Sequence, residues 1–169
     1  MTEKGGTALL RHFSPRRVRA WYGMPAEIVI EGDYWHLVQV GNLKLPHPPV
    51  VNLFIRRGLS PQDRLQFSHR HEFGHLQTLP LALFHLVWLF WRSPGLRRGP
   101  VWRWAWQWGI ALLVHEAVWE MASEGYVMIR EGERYRRAYR ARPNLFLVLF
   151  WMGLSAAAWL GTRRLTSRE

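Results

Sequence analysis

"FSHRHEFGHLQTLPLALFHLVWLFW", Phe67 to Trp91, decides how this chain is read. A polar, histidine-dense segment runs directly into an apolar one. Within it, His71-Glu72-Phe73-Gly74-His75 has the pattern H-E-x-x-H. Just upstream, "SPQD" at 60–63 carries the marks of a helix start: Ser60 as N-cap, Pro61 at the first helical position and Asp63 to complete a capping box. The spacing therefore predicts a helix from Pro61 that carries the histidines in its third and fourth turns. Positions i and i+4 share a helix face, so both imidazoles can reach one metal ion. Glu72 lies roughly 100° round the helix from His71. That offset suits contact with a water held by the metal, and it makes Glu72 the candidate catalytic base. Pro80 removes one backbone donor and predicts a kink.

Composition limits the alternatives. The 169 residues contain no cysteine, which excludes disulfides, thiolate metal sites and a cysteine nucleophile. Any metal must then be held by His, Asp or Glu. Net charge is +11, with 21 Arg against 2 Lys. Such a balance suits anionic lipid or nucleic acid. Eleven Trp favour a membrane interface. The N-terminal stretch is basic but has no apolar core of signal-peptide length, so no cleavable signal is expected.

The rest of the chain divides by pattern. Residues 1–24 read as a basic, weakly structured arm. "AEIVIEG" and "YWHLVQVG" are two β-type runs around Gly32 and Asp33, a hairpin signal. "LPHPP" interrupts, and "VVNLFIRRG" predicts a third strand, giving a small sheet over 25–58. Three apolar segments follow: Leu79–Trp91, Val101–Trp119 and Asn144–Gly161. A membrane crossing takes about 20 residues. The third segment is near that length and uncharged. The second carries Arg103, which can snorkel. The first is short unless "LQT" also enters the membrane. The fold class expected is α+β: a small N-terminal sheet beside the active-site helix, then a mostly α-helical, membrane-embedded half of three hydrophobic helices.

A catalytic zinc takes a third protein ligand and leaves one position open. "HEAVWEMASEGYV", His115 to Val127, puts Glu116, Glu120 and Glu124 at i, i+4 and i+8, on one helix face. Acids so deep in an apolar half are costly without partners. One of the three is expected to bind the metal, and another to hold a ligand imidazole through its second nitrogen.

H-E-x-x-H followed downstream by E-x-x-x-D/E resembles the gluzincin metalloproteases. The resemblance covers roughly Val50 to Val127. It implies that His71, His75 and Glu120 bind Zn2+, that Glu124 braces a ligand histidine, and that Glu116 is the alternative ligand. The order of parts is similar to the integral-membrane gluzincins of bacteria, and the small size to the minigluzincins. It implies one minimal gluzincin-like domain over 25–169. Its parts are the sheet at 25–58, the active-site helix running into the first membrane segment at 60–92, the second membrane segment with the acidic motif at 101–128, and the third at 144–161. It also implies that "VVNLFIRRG" pairs with extended substrate as an edge strand.

Other residues carry weaker signals. His115 or Tyr126 could stabilise a transition state. His69 is expected at the surface or against headgroups, and His85 as a polar link between helices. "EGERYRRAYRAR", 131–142, reads as a basic helix facing anionic lipid. The function expected is a membrane-embedded zinc metalloendopeptidase, with Glu72 as general base on a zinc-bound water and a peptide or membrane protein as substrate. The alternative is a catalytically inactive zinc-binding membrane protein with a structural or partner-binding role. A di-iron hydroxylase would need several histidine boxes, and this chain has one. A nucleic-acid partner is not expected, since it leaves the H-E-x-x-H and the acidic row without purpose.

Orientation rests on charge. Near the membrane ends, eight Arg (64, 70, 130, 134, 136, 137, 140, 142) lie on the active-site side and seven (92, 97, 98, 103, 163, 164, 168) on the other. That is close to a tie under the positive-inside rule. The basic N-terminal arm and the resemblance place the protein in the cell inner membrane with the site facing the cytoplasm.

Overall fold

The computed structural model describes residues 16–31, 35–40, 43–47, 54–96 and 100–167, with side chains described outside 31–53 and Pro94. Four strands form one antiparallel meander: β1 (Arg16–Arg19), β2 (Pro25–Glu31), β3 (Trp35–Val40) and β4 (Leu43–His47), in the order β1-β2-β3-β4. Ile28 pairs with Arg16 on one side and Val38 on the other. Along β2, Ala26, Ile28 and Ile30 are buried and alternate with half-buried Glu27 and Val29, the period-2 pattern of a strand with one covered face. That face meets Leu65 and Leu76 of the following helix.

The helical part has three long elements: α1 (Pro61–Arg92), α2 (Val101–Ala141) and α3 (Leu145–Thr166). Ser60 caps α1: its Oγ accepts from the Asp63 backbone N–H at 3.1 Å. The helix runs through Pro80 to Arg92. Pro80 has no N–H for the Leu76 carbonyl. The Tyr22 hydroxyl donates to that carbonyl instead, at 2.8 Å, and Trp21 Nε1 donates to the next one, Gln77, at 2.9 Å. The β1–β2 turn thus repairs the break in α1 and ties the sheet to it.

Two apolar clusters order the helices. At one end Leu59, Phe67, Val127 and Tyr135 pack with Leu147. At the other, Leu89, Leu96, Ala111 and Val114 pack with Leu165. α1 and α2 are therefore antiparallel, and α3 runs alongside in the sense of α1. Gly132 interrupts α2 with φ +45°, a left-handed geometry that glycine adopts without Cβ strain. The last turns of α2 bend there, and Tyr135 reaches the ring of Phe67 at 5.3 Å.

Several expectations are corrected. Phe54 and Ile55 are helical and Arg56–Gly58 forms a turn, so none of them is part of a third strand, while 50–53 lie outside the described residues. Without a strand at 54–58, the edge-strand pairing with substrate loses its basis at those positions. The sheet's further strands are Arg16–Arg19, inside the supposed arm, and Leu43–His47, which includes the start of "LPHPP". Pro46 is tolerated because β4 ends the strand order, and an edge strand does not need every donor. Among the described residues two helices, not three, are long and apolar enough to cross a membrane: α1 and α3. α2 is long, but the charges from Glu116 onward dilute it. His69 is buried rather than at the surface.

Tyr22→Phe should leave the Leu76 carbonyl without its donor and destabilise the fold by about 1–2 kcal/mol. Thermal unfolding of the two proteins under identical conditions checks this.

Candidate metal centre

α1 and α2 come unusually close at the H-E-x-x-H. A Cβ on Gly74 would lie 2.8 Å from the Ser123 carbonyl oxygen, so any larger residue pushes the helices apart. This contact sets the depth at which α2 presents Glu120, about one turn before Ser123, and Glu124, the residue after it. All of His71, Glu72, His75, Glu120, Ser123 and Glu124 are buried.

His71, His75 and Glu120 converge. Their candidate ligand atoms all lie within 4.8 Å of one another. His71 Nε2 is 3.0 Å from Glu120 Oε2, and His75 Nε2 is 3.4 Å from Glu120 Oε1. The other ring nitrogens are held from behind. His71 Nδ1–H donates to Glu124 Oε2 at 2.9 Å. Ser123 Oγ–H donates to the Trp119 carbonyl at 2.9 Å, so the same oxygen accepts His75 Nδ1–H, also at 2.9 Å. Both imidazoles are thus held with Nε2 toward Glu120. Two imidazoles and one carboxylate with braced second nitrogens form a donor set able to hold a metal ion.

Behind His71 lies a buried network. Glu124 receives Arg56 Nη1 at 2.6 Å on Oε1 and Arg56 Nη2 on Oε2. Tyr135 donates to Glu124 Oε1 at 2.7 Å. Arg56 Nη1 also reaches the Tyr139 oxygen at 2.9 Å, and Tyr139 donates to the Ile55 carbonyl at 2.6 Å. Burial alone would raise the Glu124 carboxyl, but the Arg56 charge and the hydrogen bonds from His71 and Arg56 hold it well below the usual carboxylate range. Burial pushes the Tyr139 hydroxyl up to about 12 and Tyr135 higher still, so both remain donors.

The remaining predicted residues divide. Glu116 is exposed and does not join the cluster. Glu72 is buried on α1 beside His71. His115 stacks on His85 at 5.8 Å and faces Trp119, a position deeper in the helical hairpin than the ligands. Tyr126 packs on Phe73 at 5.9 Å with Arg130 over its ring. Neither touches His71, His75 or Glu120 by a described contact. Arg56, Ser123, Tyr135 and Tyr139 were missed. Arg56 sat in a supposed strand. The tyrosines sat in the segment 131–142 read as a lipid-facing helix, yet they point inward, and Arg134 pairs with Asp63 at 2.8 Å. The signal available was their i, i+4 spacing, which marks one apolar face among the arginines.

No family model, curated protein or solved structure matches this chain.

Two expectations follow. Glu120→Ala should abolish stoichiometric metal binding while Glu116→Ala retains it, as read by elemental analysis of purified protein. Arg56→Met leaves Glu124 buried without its cation; it should destabilise the protein by about 3–5 kcal/mol and weaken metal binding by roughly 10–100-fold, as read by thermal unfolding and by chelator competition.

Proposed function

We propose that this protein is a membrane-embedded zinc metalloendopeptidase of gluzincin type. The observation that carries the reading is the convergence of His71, His75 and Glu120 next to the buried Glu72. A structural site needs ligands but has no use for a general base on the adjacent helix position.

In this reading His71, His75 and Glu120 would hold the zinc ion. A bound zinc ion supplies a Lewis acid and lowers the pKa of the water it holds to about 7. Glu72 would be the group that accepts a proton from the attacking water and returns it to the departing amine. Glu124 and Ser123 keep both imidazoles oriented throughout. Arg56 keeps Glu124 ionised, so His71 stays a fixed donor.

The membrane reading draws support from the surface. Leu81, Phe84, Val87 and Trp91 on α1 and Leu145, Val148, Leu149, Met152 and Trp159 on α3 are all exposed. Water rarely faces a continuous apolar surface of that size. In this arrangement the metal centre sits where the apolar part of α1 begins, at the interface, and meets unfolded or membrane-protein segments there. We assign the site to the cytoplasmic face of the cell inner membrane.

A second reading is a zinc-binding membrane protein without catalysis. The depth of the site favours it, since all three ligands are buried. Glu72→Gln separates the two. It should keep metal and fold yet lose hydrolysis of an unfolded substrate such as casein, because an amide cannot take the proton. Wild-type protein that holds one zinc and cuts no unfolded or membrane substrate would establish the second reading.

Topology is open to thiol labelling, because the chain has no cysteine. Cys placed at Ser167, exposed beyond α3, should react with an impermeant reagent outside intact cells. Cys placed at Arg137, exposed at the metal end, should react only after permeabilisation. The reverse pattern puts the site outside.

A further inference from the structure

The start of α3 and the residues just before α1 form an open apolar groove of about 380 Å³. It is lined by Phe54, Ile55, Phe146, Leu149 and Phe150. The groove runs along the first turns of α3, where Phe146 and Leu149 are exposed. Asn144 fixes its shape: Nδ2 donates to the Phe54 and Ile55 carbonyls, each at 2.9 Å.

Two arginines stand at its rim. The Arg57 guanidinium carbon lies 6.0 Å from the centre of the Phe146 ring. Arg142 donates from Nη1 to the Gly58 carbonyl at 2.6 Å. Both are exposed, and both are tied to the segment that supplies Phe54 and Ile55.

We propose that this groove binds an anionic phospholipid, with one acyl chain on the five lining residues and the phosphate between Arg57 and Arg142. The proposal rests on the membrane reading given above. In that reading the first turns of α3 lie where headgroups meet hydrocarbon, so the groove opens toward acyl chains and its rim toward phosphates. Charge complementarity selects the anionic headgroup. The lining selects an acyl chain over a peptide. All five lining side chains are hydrocarbon, so a peptide backbone seated there would lose water from its N–H and C=O groups without regaining partners. The Ile55 carbonyl is already taken by Tyr139 and Asn144.

The site has a consequence for the metal centre. Phe54 and Ile55 of the groove precede Arg56, the residue that holds Glu124 and through it His71. A lipid packed on Phe54 and Ile55 steadies that segment. Its occupancy should therefore slow metal loss, without any contact to the ligands.

The test uses full-length protein in detergent with equimolar phosphatidylglycerol and phosphatidylcholine, read by native mass spectrometry. Wild type should retain one phosphatidylglycerol in preference. Arg57→Glu, on the surface, should cut that retention roughly tenfold, the scale for reversing one charge at an anionic surface. Leu149→Trp, which fills the groove, should abolish it, and both variants should lose zinc to a chelator faster than wild type in phosphatidylglycerol. Equal retention of both lipids, or unchanged retention in both variants, overturns the proposal. So does displacement of the lipid by inorganic phosphate alone, which would make the rim and not the groove the site. Carbonate extraction distinguishes the failures: protein that stays in the membrane but shows no lipid preference defeats only this proposal, whereas carbonate-soluble protein defeats the membrane reading with it.

Discussion

A single carboxylate, Glu124, ties the structure together. It is fully buried, and an ionised carboxylate in such a place is several kcal/mol too costly unless charge and hydrogen bonds surround it. Its partners come from three parts of the chain: Arg56 before α1, His71 on α1, and Tyr135 beyond the bend in α2. Each of those parts is placed by the need to reach it. The turn at Arg56–Gly58 brings Arg56 inward. The positive φ of Gly132 lets α2 fold back and deliver Tyr135. The contact between Gly74 and Ser123 sets the separation at which Glu124 meets His71 and Glu120 faces both histidines.

The same arrangement explains why the metal centre can sit beside an apolar layer. Arg56 and Tyr135 neutralise and hydrogen-bond Glu124, and Tyr139 accepts from Arg56 behind them. Glu120 is left to face the imidazoles. Below, toward the apolar end, Trp119 Nε1 donates to the His75 carbonyl and Thr78 Oγ1, and Thr78 donates to the Gly74 carbonyl. These bonds bring side-chain donors to the two carbonyls just before that of Leu76, which Pro80 leaves without its helical donor. The sheet contributes at the same level, through Tyr22 and Trp21. The small β-layer works as a clamp on the break in α1 as well as a cover for Leu65 and Leu76.

Local signals in the sequence predicted local structure well. Ser60-Pro61-x-Asp63 marks the start of α1, and the i, i+4 spacing of His71 and His75 puts them on one face. The four-residue spacing of the acids leaves the choice among Glu116, Glu120 and Glu124 open, because all three share a face of α2 before its packing is known. The helix contact decides: Gly74 admits α2 at Ser123, so its neighbours at 120 and 124 turn inward while Glu116 stays outside. What the sequence hides is long-range. Arg56 in "VVNLFIRRG" looks like a strand residue, since β-branched and aromatic neighbours suggest strand whatever the tertiary context. Tyr135 and Tyr139 are concealed by the arginines between them, because net charge describes the segment's outer face and not its inner one. The length of α2 also misleads. Its apolar first half reads as a crossing, but the helix continues far past it into charged residues.

We propose that the buried His71, His75 and Glu120, which could hold a metal ion, bind one zinc and leave a position open. X-ray absorption at the zinc edge of purified wild-type protein tests it most directly. The expected result is one zinc per chain with four N or O neighbours at about 2.0–2.2 Å and the outer-shell scattering of two imidazoles. A shell of six oxygen neighbours without imidazole, or protein that binds no zinc when the ion is supplied, would contradict it.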